Sequence, residues 1–324
     1  MKKLSLLLAL TMLLTLTACK PKTQDPEPLT PEDSMEKTVL HLEELAVEFP
    51  RSGLSKDQLT QAVKGLPELF KTYFHETGIV EVEHVTVTVG SFPSATAQAL
   101  TEGGVDVAFL PGTTAAALDG PVVLLADARL LDDGATLRSG TRALLCAAPT
   151  AYGDQLVGRV SSGKPLSHTE AERARWGMVE TGAARDCFTL WLADSFGEEQ
   201  AFDWSAVTMY GSEEELFWAA ANGEIDALVI RDDARTGAAE SWAGEGSIWE
   251  QLPVLDVTET VYTTVTAVNP ELAEGDFTQA LEQVLQRMSG EHPELMTVLG
   301  ADDFAPVTVD GLAATRRLEA LTAE

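Results

Sequence analysis

The chain has 324 residues, of which 45% are hydrophobic and 23% are charged, and its formal net charge is −29 at pH 7. That composition is typical of a soluble globular protein, and the length is enough for two domains. A surface this acidic repels a phosphate backbone, so we expect no nucleic-acid partner.

The first residues have the pattern of a secretory signal peptide over residues 1–18. Lys2 and Lys3 precede an uninterrupted apolar run that ends at Cys19. The run is shorter than the roughly 20 residues that a spanning helix needs, so a permanent transmembrane helix is the weaker interpretation. The letters LTAC at 16–19 resemble the bacterial lipobox, whose cysteine becomes the diacylated mature N-terminus. The alternative is an ordinary signal peptide followed by a chance cysteine.

Residues 19–37 are rich in Pro, Lys, Glu and Asp and contain almost nothing apolar. A segment of this kind cannot offset the entropy cost of folding. We therefore expect 19–37 to be a lipidated, flexible tether that holds the folded part at the outer face of the cell membrane.

The next part of the chain alternates between strand and helix patterns. Period-two alternation indicates strands, spacings of three and four indicate helices, and a continuous apolar run is typical of a strand buried on both faces. The predicted elements are a strand over 38–48, a helix over 55–74, a strand over 80–90, a helix over 95–102 and a strand over 105–111. This order predicts an α/β fold with a mostly parallel sheet.

The same alternation recurs after residue 140 and predicts a second α/β lobe. The expected strands of this lobe lie at 143–149, 175–180, 206–209 and 225–230, and its expected helices lie at 167–173, 186–195 and 212–222. The helix over 167–173 opens with Ser167 three residues before Glu170, which is a capping-box spacing. A further alternating strand is expected at 261–270, and the remainder is expected to be helical, with amphipathic segments at 277–288 and 311–321.

Two stretches resemble each other across the halves. Residues 99–112 read ALTEGGVDVAFLPG, and residues 219–233 read AAANGEIDALVIRDD. Both run from a helix end through a Gly turn and an acidic residue into a buried strand and a polar loop. Ligands bind beyond the carboxyl ends of strands in open α/β sheets, so these loops are candidates for opposite walls of one cleft.

No residue pattern indicates catalysis or metal binding. The five histidines show no ligand spacing with each other or with the cysteines, and none of the familiar hydrolase or phosphate-loop motifs occurs. We expect no enzyme activity, metal or cofactor. Cys146 and Cys187 are either one disulfide of an exported protein or two buried small hydrophobes.

Several segments taken together resemble the phosphate/phosphite/phosphonate-binding proteins of ABC transporters, from about Val47 to the C-terminus. They read VTVGSFPSATAQAL at 87–100, GGVDVAFLPGTT at 103–114, WG at 176–177 with LWLADSFG at 190–197, NGEIDALVIRDDARTG at 222–237 and SIWEQLPVLDVT at 247–258. The resemblance implies a two-lobed type II periplasmic-binding-protein fold joined by a two-segment hinge. One lobe would hold 38–138 plus 262–324, and the other 139–261.

The resemblance also implies a function: capture of a small oxyanion between the lobes and its delivery to a membrane ABC permease, by a protein that we expect to be a monomer. Helix N-termini with Ser and Thr hydroxyls bind anions without a full cationic partner. Two loops offer them, and their candidate ligand-binding residues are Ser91, Phe92 and Ser94, and Gly112, Thr113 and Thr114. Plain helix capping is the alternative role of these hydroxyls.

The chain departs from the family where relatives carry a Ser/Thr-rich anion loop. Here 180–186 reads ETGAARD, in which Thr181 and Gly182 remain as candidates and Arg185 offers a charge. The resemblance implies phosphonate, phosphite or phosphate, or a related organic molecule, as the ligand. The altered loop favours a different oxyanion, a zwitterion or a larger organic molecule over a free phosphonate or phosphate. Asp232 and Tyr262 complete the candidate contacts. The alternative function is a sensor or scaffold lipoprotein with the same fold and no transport role.

Overall fold

The computed structural model describes residues 39–51, 56–130, 136–180, 182–273 and 275–322. The predicted signal peptide over 1–18, the predicted lipidation site Cys19 and the whole predicted tether over 19–37 therefore lie outside the described residues, as does Thr181. Within the described ranges, no helix has both the length and the apolar character needed to cross a membrane.

In the described ranges, twelve strands form two mixed sheets. In chain order they are β1 (Leu40–Phe49), β2 (Val80–Val89), β3 (Val107–Pro111), β4 (Val122–Leu130), β5 (Leu137–Ser139), β6 (Ala143–Ala147), β7 (Trp176–Val179), β8 (Val207–Tyr210), β9 (Ala227–Arg231), β10 (Val254–Val257), β11 (Thr264–Val268) and β12 (Asp303–Pro306). The first sheet has the order β12-β4-β11-β3-β1-β2 with β5 on β4, and the second has the order β10-β6-β9-β7-β8.

The part of the chain that the structure describes also has thirteen helices that flank these sheets. They are α1 (Lys56–Val63), α2 (Leu66–Thr77), α3 (Pro93–Thr101), α4 (Gly112–Ala116), α5 (Ala151–Ser161), α6 (His168–Arg173), α7 (Ala184–Phe196), α8 (Glu213–Ala221), α9 (Ala234–Ala238), α10 (Ile248–Gln251), α11 (Asp276–Glu291), α12 (Pro293–Leu299) and α13 (Val309–Thr322). The capping box predicted at the start of α6 is confirmed, because Ser167 and Glu170 bond each other's backbone N–H groups.

The expectation of mostly parallel sheets is wrong in part. The β1, β2 and β3 strands pair in parallel, as do β7, β8 and β9, but every other pairing in both sheets is antiparallel. The reversed strands β6 and β11 each enter their sheet from the edge at which its parallel strands end. They therefore run against their neighbours.

The single helix predicted over 55–74 is two helices. The α1 helix ends at Val63, and α2 begins at Leu66 after Gly65. Pro67 lies in the first turn of α2, where its missing N–H costs nothing, whereas in a continuous helix it would remove a backbone hydrogen bond to Val63. The break at Gly65 therefore follows from Pro67.

Each sheet has its own apolar core. Phe70, Phe74 and Phe277 are fully buried against the first sheet. Trp176 and Phe188 are fully buried against the second, with their ring centroids 4.8 Å apart. The α13 helix packs against both α4 and α7. Because Thr38–Glu324 form one compact unit of contacts, the division into lobes at 138/139 and 261/262 stays a prediction.

Candidate functional site

Two short segments, 140–142 and 258–263, cross between the sheets and pair with each other. The N–H of Thr141 donates to the Val261 carbonyl at 2.7 Å, and the N–H of Val261 donates to the Thr141 carbonyl at 2.8 Å. Gly140 has φ +71°, and a Cβ there would lie 2.8 Å from the Val261 carbonyl oxygen. The pairing thus depends on a glycine.

Parallel strands of both sheets end beside these crossing segments. In the first sheet, Pro111 at the end of β3 lies opposite Thr264 at the start of β11. In the second sheet, Arg231 at the end of β9 lies opposite Ala143 at the start of β6. The loops that follow β2 and β3 therefore approach the crossing segments from one sheet, and those that follow β7 and β9 approach from the other.

The loop after β2 presents Ser91, Phe92 and Ser94 to solvent. Phe92 is the N-cap of α3 and is 67% exposed, and no side chain caps this helix. The hydroxyls of Ser91 and Ser94 therefore do not serve as the cap of α3. An exposed phenyl ring at the mouth of the loop leaves its apolar face available to a partner.

A carboxylate that sequence reasoning missed lies beside this loop. Glu48, near the end of β1, accepts hydrogen bonds from the hydroxyls of Thr88, at 3.0 Å, and Thr96. It stands in register with Thr88 on β2. The negative charge of Glu48 works against an anion at this first loop, so neutral donors alone do not define where an anion binds.

The loop after β3 is held tightly against the second crossing segment. The Gly112 N–H donates to the Thr263 carbonyl at 3.0 Å, so this amide is already bonded. A Cβ at Gly112 would lie 2.0 Å from the Tyr262 carbonyl oxygen. Thr113 and Thr114 follow in the first turn of α4 and are half-buried.

The degenerate loop after β7 is described at Gly182 but not at Thr181. Gly182 is exposed and has φ +102°, a conformation that favours glycine. The guanidinium of Arg185 lies 5.1 Å from the centroid of the Trp204 ring. This cation–π contact directs Arg185 onto the aromatic cluster around Phe188.

The loop after β9 joins the two sheets through one carboxylate. Asp232 Oδ2 accepts from Arg142 Nε at 2.8 Å and pairs with Arg138 Nη1. Arg138 belongs to β5 of the first sheet, and Arg142 to the first crossing segment. The Asp232 side chain is only 11% exposed. Of the candidate residues, Asp232 alone makes a charged contact across the crossing segments among the described residues.

Arginines surround this carboxylate, and sequence reasoning missed them. Arg129, Arg138 and Arg231 line a small recess together with Asp232 and Asp233, and its volume is about 10 Å³. That is about the space of one water molecule. Burial, together with the charge of neighbouring Arg142, lowers the pKa of Arg138 from its ordinary value. A basic recess in a chain with 22 basic and 51 acidic residues is a local reversal of charge.

Tyr262 belongs to the interior. Its side chain is 3% exposed, and its hydroxyl accepts from the Thr308 N–H at 2.7 Å. The ring also lies against Gly311, where a Cβ would come within 2.7 Å of it. The Tyr262 side chain therefore packs α13 against the second crossing segment and offers no surface to a ligand in this arrangement.

The described residues contain no group of three or more His, Cys, Asp or Glu side chains placed to hold a metal ion. Cys146 and Cys187 are free thiols, both buried. Burial raises the pKa of each to about 12. Of the two alternatives for these cysteines, the structure therefore has the buried thiols.

Two helix-flanked mixed sheets, joined by two crossing segments between facing strand ends, are the architecture of a type II periplasmic binding protein. The family model described as "ABC transporter, phosphonate, periplasmic substrate-binding protein" matches residues 68–312. Since the match spans more than half of the chain, the chain belongs to this family, whose members are substrate-binding components of ABC transporters. No curated protein matches the sequence.

The comparison with solved structures finds similar chains at low identity. Mh-p37 of Mycoplasma hyorhinis is 9% identical, with 86% of this chain and 99% of that chain covered and a TM-score of 0.52. PhnD1 of Prochlorococcus marinus, solved with methylphosphonate, is 11% identical over 85% and 97%, with a TM-score of 0.40. The aliphatic sulphonate binding protein SsuA of Escherichia coli is 12% identical over 87% of each chain, with a TM-score of 0.42. The predicted type II fold is confirmed.

Proposed function

We propose that this protein is the lipid-anchored, extracytoplasmic solute-binding subunit of an ABC importer and captures a small ligand between its two sheets. One observation carries the proposal: loops from both sheets end on opposite sides of one pair of crossing segments. A ligand that contacts both sides favours the closed arrangement, so binding shifts the population toward closure. The captured molecule then passes to a membrane permease.

The ligand that we propose is a small oxyanion such as phosphonate, phosphite or phosphate, or a related organic molecule. Family membership supports this class, and so does the basic recess around Asp232. In the proposed site, Ser91, Ser94, Thr113 and Thr114 supply neutral donors, and Phe92 supplies an apolar contact.

A ligand screen tests the proposal. Thermal unfolding is measured against phosphate, phosphite, alkylphosphonates, sulfonates, amino acids and vitamin-like organics, and each hit is followed by small-angle scattering. We expect at least one hit to raise the melting temperature and to reduce the radius of gyration. A bound ligand with no compaction contradicts capture between the sheets.

A pair of threonine variants locates the hit. Thr113→Val removes a hydroxyl of the proposed site, and Thr101→Val is the control because its hydroxyl bonds the Ala97 carbonyl within α3. Loss of a hydrogen bond to a charged ligand costs about 2 kcal/mol, so we expect roughly tenfold or greater weakening for Thr113→Val only. Equal affinities for both variants would show that the ligand does not contact Thr113 in α4.

The lipid anchor is tested at Cys19. The expected outcome is that the wild-type protein labels with palmitate and fractionates with membranes, whereas Cys19→Ala does neither. A Cys19→Ala protein that still labels and stays on membranes would contradict lipid anchoring at Cys19. The proposal of ligand binding would be unaffected.

One observation favours the alternative function of a sensor or scaffold: the 180–186 loop lacks most of the hydroxyls expected of a transport receptor. Uptake of a radiolabelled hit separates the two functions. A receptor deletion that abolishes uptake supports transport, and a deletion that changes gene expression but not uptake supports sensing.

A further inference from the structure

We infer that Arg138 and Arg142 form the anion-binding pair of this protein and that Asp232 is an internal anion which a dianionic tetrahedral ligand must displace. The inference rests on the proposed function and deepens it. It assigns Arg138, Arg142 and Asp232 to a site for which the family resemblance suggested hydroxyls and helix N-termini.

The first support is the position of the three side chains. Arg138 comes from the first sheet, Arg142 from a crossing segment and Asp232 from the second sheet, and one carboxylate oxygen contacts both guanidinium groups. A group that binds both arginines thus ties the two sheets together. That is the contact which a captured ligand has to make in order to hold the protein closed.

The second support is electrostatic. Arg138 and Arg142 are neighbouring like charges, and burial together with the charge of Arg142 lowers the pKa of Arg138. The side chains of Arg138 and Arg142 are 28% and 38% exposed, so water screens their mutual repulsion only in part. An anion between them offsets this repulsion. Asp232 supplies one negative charge there. A dianion such as a phosphonate or phosphate matches both guanidinium charges and presents oxygens at the separation that bidentate arginine contacts require.

The third support is space. The recess beside Asp232 has a volume of about 10 Å³, so a phosphonate does not fit next to the carboxylate. A carboxylate and a tetrahedral oxyanion both accept hydrogen bonds from arginine through two or more oxygens. Ligand entry therefore requires Asp232 to leave the pair, and the second sheet to move with it or the side chain to rotate away.

The charge balance elsewhere agrees with this location. At the loop after β2, Glu48 lies beside the neutral donors and repels an anion. At the recess, Arg129 adds positive charge next to the pair, whereas the charge of Arg231 is balanced by Glu213 at 3.0 Å and Asp233 at 3.5 Å. An anion entering from solvent is thus drawn toward the arginines rather than toward the serines.

The decisive experiment is calorimetric titration of wild-type protein and Asp232→Asn with inorganic phosphate, methylphosphonate and methanesulfonate. Asparagine keeps the shape of the side chain but removes the competing charge. We expect Asp232→Asn to bind phosphate or methylphosphonate roughly tenfold or more tightly than wild type, because the ligand no longer displaces an ion pair. The monoanionic methanesulfonate should gain less than the dianions.

Three controls keep the result interpretable. Asp154→Asn changes an exposed aspartate of α5 and should leave anion affinity unchanged. Adding Arg142→Gln to Asp232→Asn should abolish the gain. Circular dichroism shows whether each variant is folded, and if Asp232→Asn does not fold, Asp232→Ser serves in its place with the same expectation.

The outcomes separate this inference from the proposed function. Unchanged or weaker anion binding in Asp232→Asn overturns the inference, and if wild type binds an anion the proposed function still stands. Weaker binding would mean that Asp232 contacts the ligand directly. Binding in the variant but not in wild type supports the inference. Anion binding in neither protein overturns the inference, whereas the proposed function fails only if the wider ligand screen is also empty.

Discussion

Asp106 and Asp226 make the same contacts in the two sheets. The carboxylate of Asp106 accepts the Ala46 N–H at 2.8 Å while its own N–H donates to the Ala46 carbonyl at 2.9 Å. The carboxylate of Asp226 accepts the Arg175 N–H at 3.2 Å, and the Asp226 N–H donates to the Arg175 carbonyl at 2.8 Å. The pattern of Gly turn, acidic residue and buried strand therefore recurs because the aspartate forms the same pair of hydrogen bonds to the neighbouring segment in each sheet.

The two aspartates differ in their further partners, which predicts a larger loss of stability for Asp226→Asn than for Asp106→Asn. Asp226 also accepts two hydrogen bonds of 2.8 Å from the Arg175 side chain and one of 2.8 Å from the Thr150 hydroxyl, whereas at Asp106 burial is the largest influence and raises the pKa. Losing hydrogen bonds to a charged group costs about 2 kcal/mol, so Asp226→Asn should lower the free energy of unfolding by that amount. Asp106→Asn should change it by less than about 0.5 kcal/mol. Urea denaturation at pH 7 measures both, and equal losses would contradict the distinction.

Asp127 predicts a pH dependence of stability. Burial raises its pKa, although the N–H groups of Thr264 and Thr263 and the charge of Arg129 oppose the shift. A raised pKa in the folded state means that its stabilising contribution is present below the unfolded pKa of about 4 and is lost as pH rises through the folded value.

Asp127→Asn should therefore gain stability relative to wild type as pH rises above about 4. Asp226→Asn should show the opposite trend, because Arg175 and Thr150 outweigh burial and lower the pKa of Asp226. Chemical denaturation at several pH values checks both. Parallel curves for Asp127→Asn and wild type would show that the Asp127 carboxyl keeps its ordinary pKa.

Cys146 and Cys187 should be unreactive in the folded protein. With pKa values of about 12, only about one thiol in ten thousand is ionised at pH 8, and both side chains are fully buried. Titration with a thiol reagent should find two more reactive thiols after unfolding in guanidinium than before. An increase only after reduction would indicate a disulfide.

Two Gly→Ala variants should have opposite signs. At Gly112 a Cβ would meet the Tyr262 carbonyl at 2.0 Å, so Gly112→Ala must displace the second crossing segment and should cost about 3 kcal/mol or more. Gly158, inside α5, has nothing within 4 Å of an added Cβ, so Gly158→Ala should stabilise by about 0.5–1 kcal/mol. Thermal unfolding decides. A neutral Gly112→Ala would mean that the close approach is not required.

Periodicity predicted the fold well because elements are encoded locally. The alternating run that became β2, the continuous apolar run that became β3 and the Ser167 cap each depend on residues that are neighbours in sequence. At Pro67 two local signals compete: the spacing of apolar residues favours one continuous helix, whereas the proline favours the start of a new one. The prediction of one continuous helix was wrong. The β4 strand was missed because Asp127 and Arg129 interrupt its apolar run.

The site was harder to predict, since its chemistry comes from residues distant in sequence. Asp232 was a candidate, but its partner Arg142 lies 90 positions away. No spacing rule links these residues, and only the folded chain brings the first sheet, the crossing segment and the second sheet to one carboxylate. Tyr262 was predicted to contact the ligand because it lies on the second crossing segment, but its side chain is buried in the interior.

The hydrogen-bonded pair formed by Thr141 and Val261 has a mechanical consequence. Two connections that ran separately would allow the halves of the protein to slide and twist independently at each one. Because these two are bonded to each other as a narrow ribbon, with Gly140 and Gly112 packed closely against it, we expect bending to be concentrated along a single axis. We therefore expect that breaking the two ion pairs of Asp232 is followed by rotation of one half against the other about this axis.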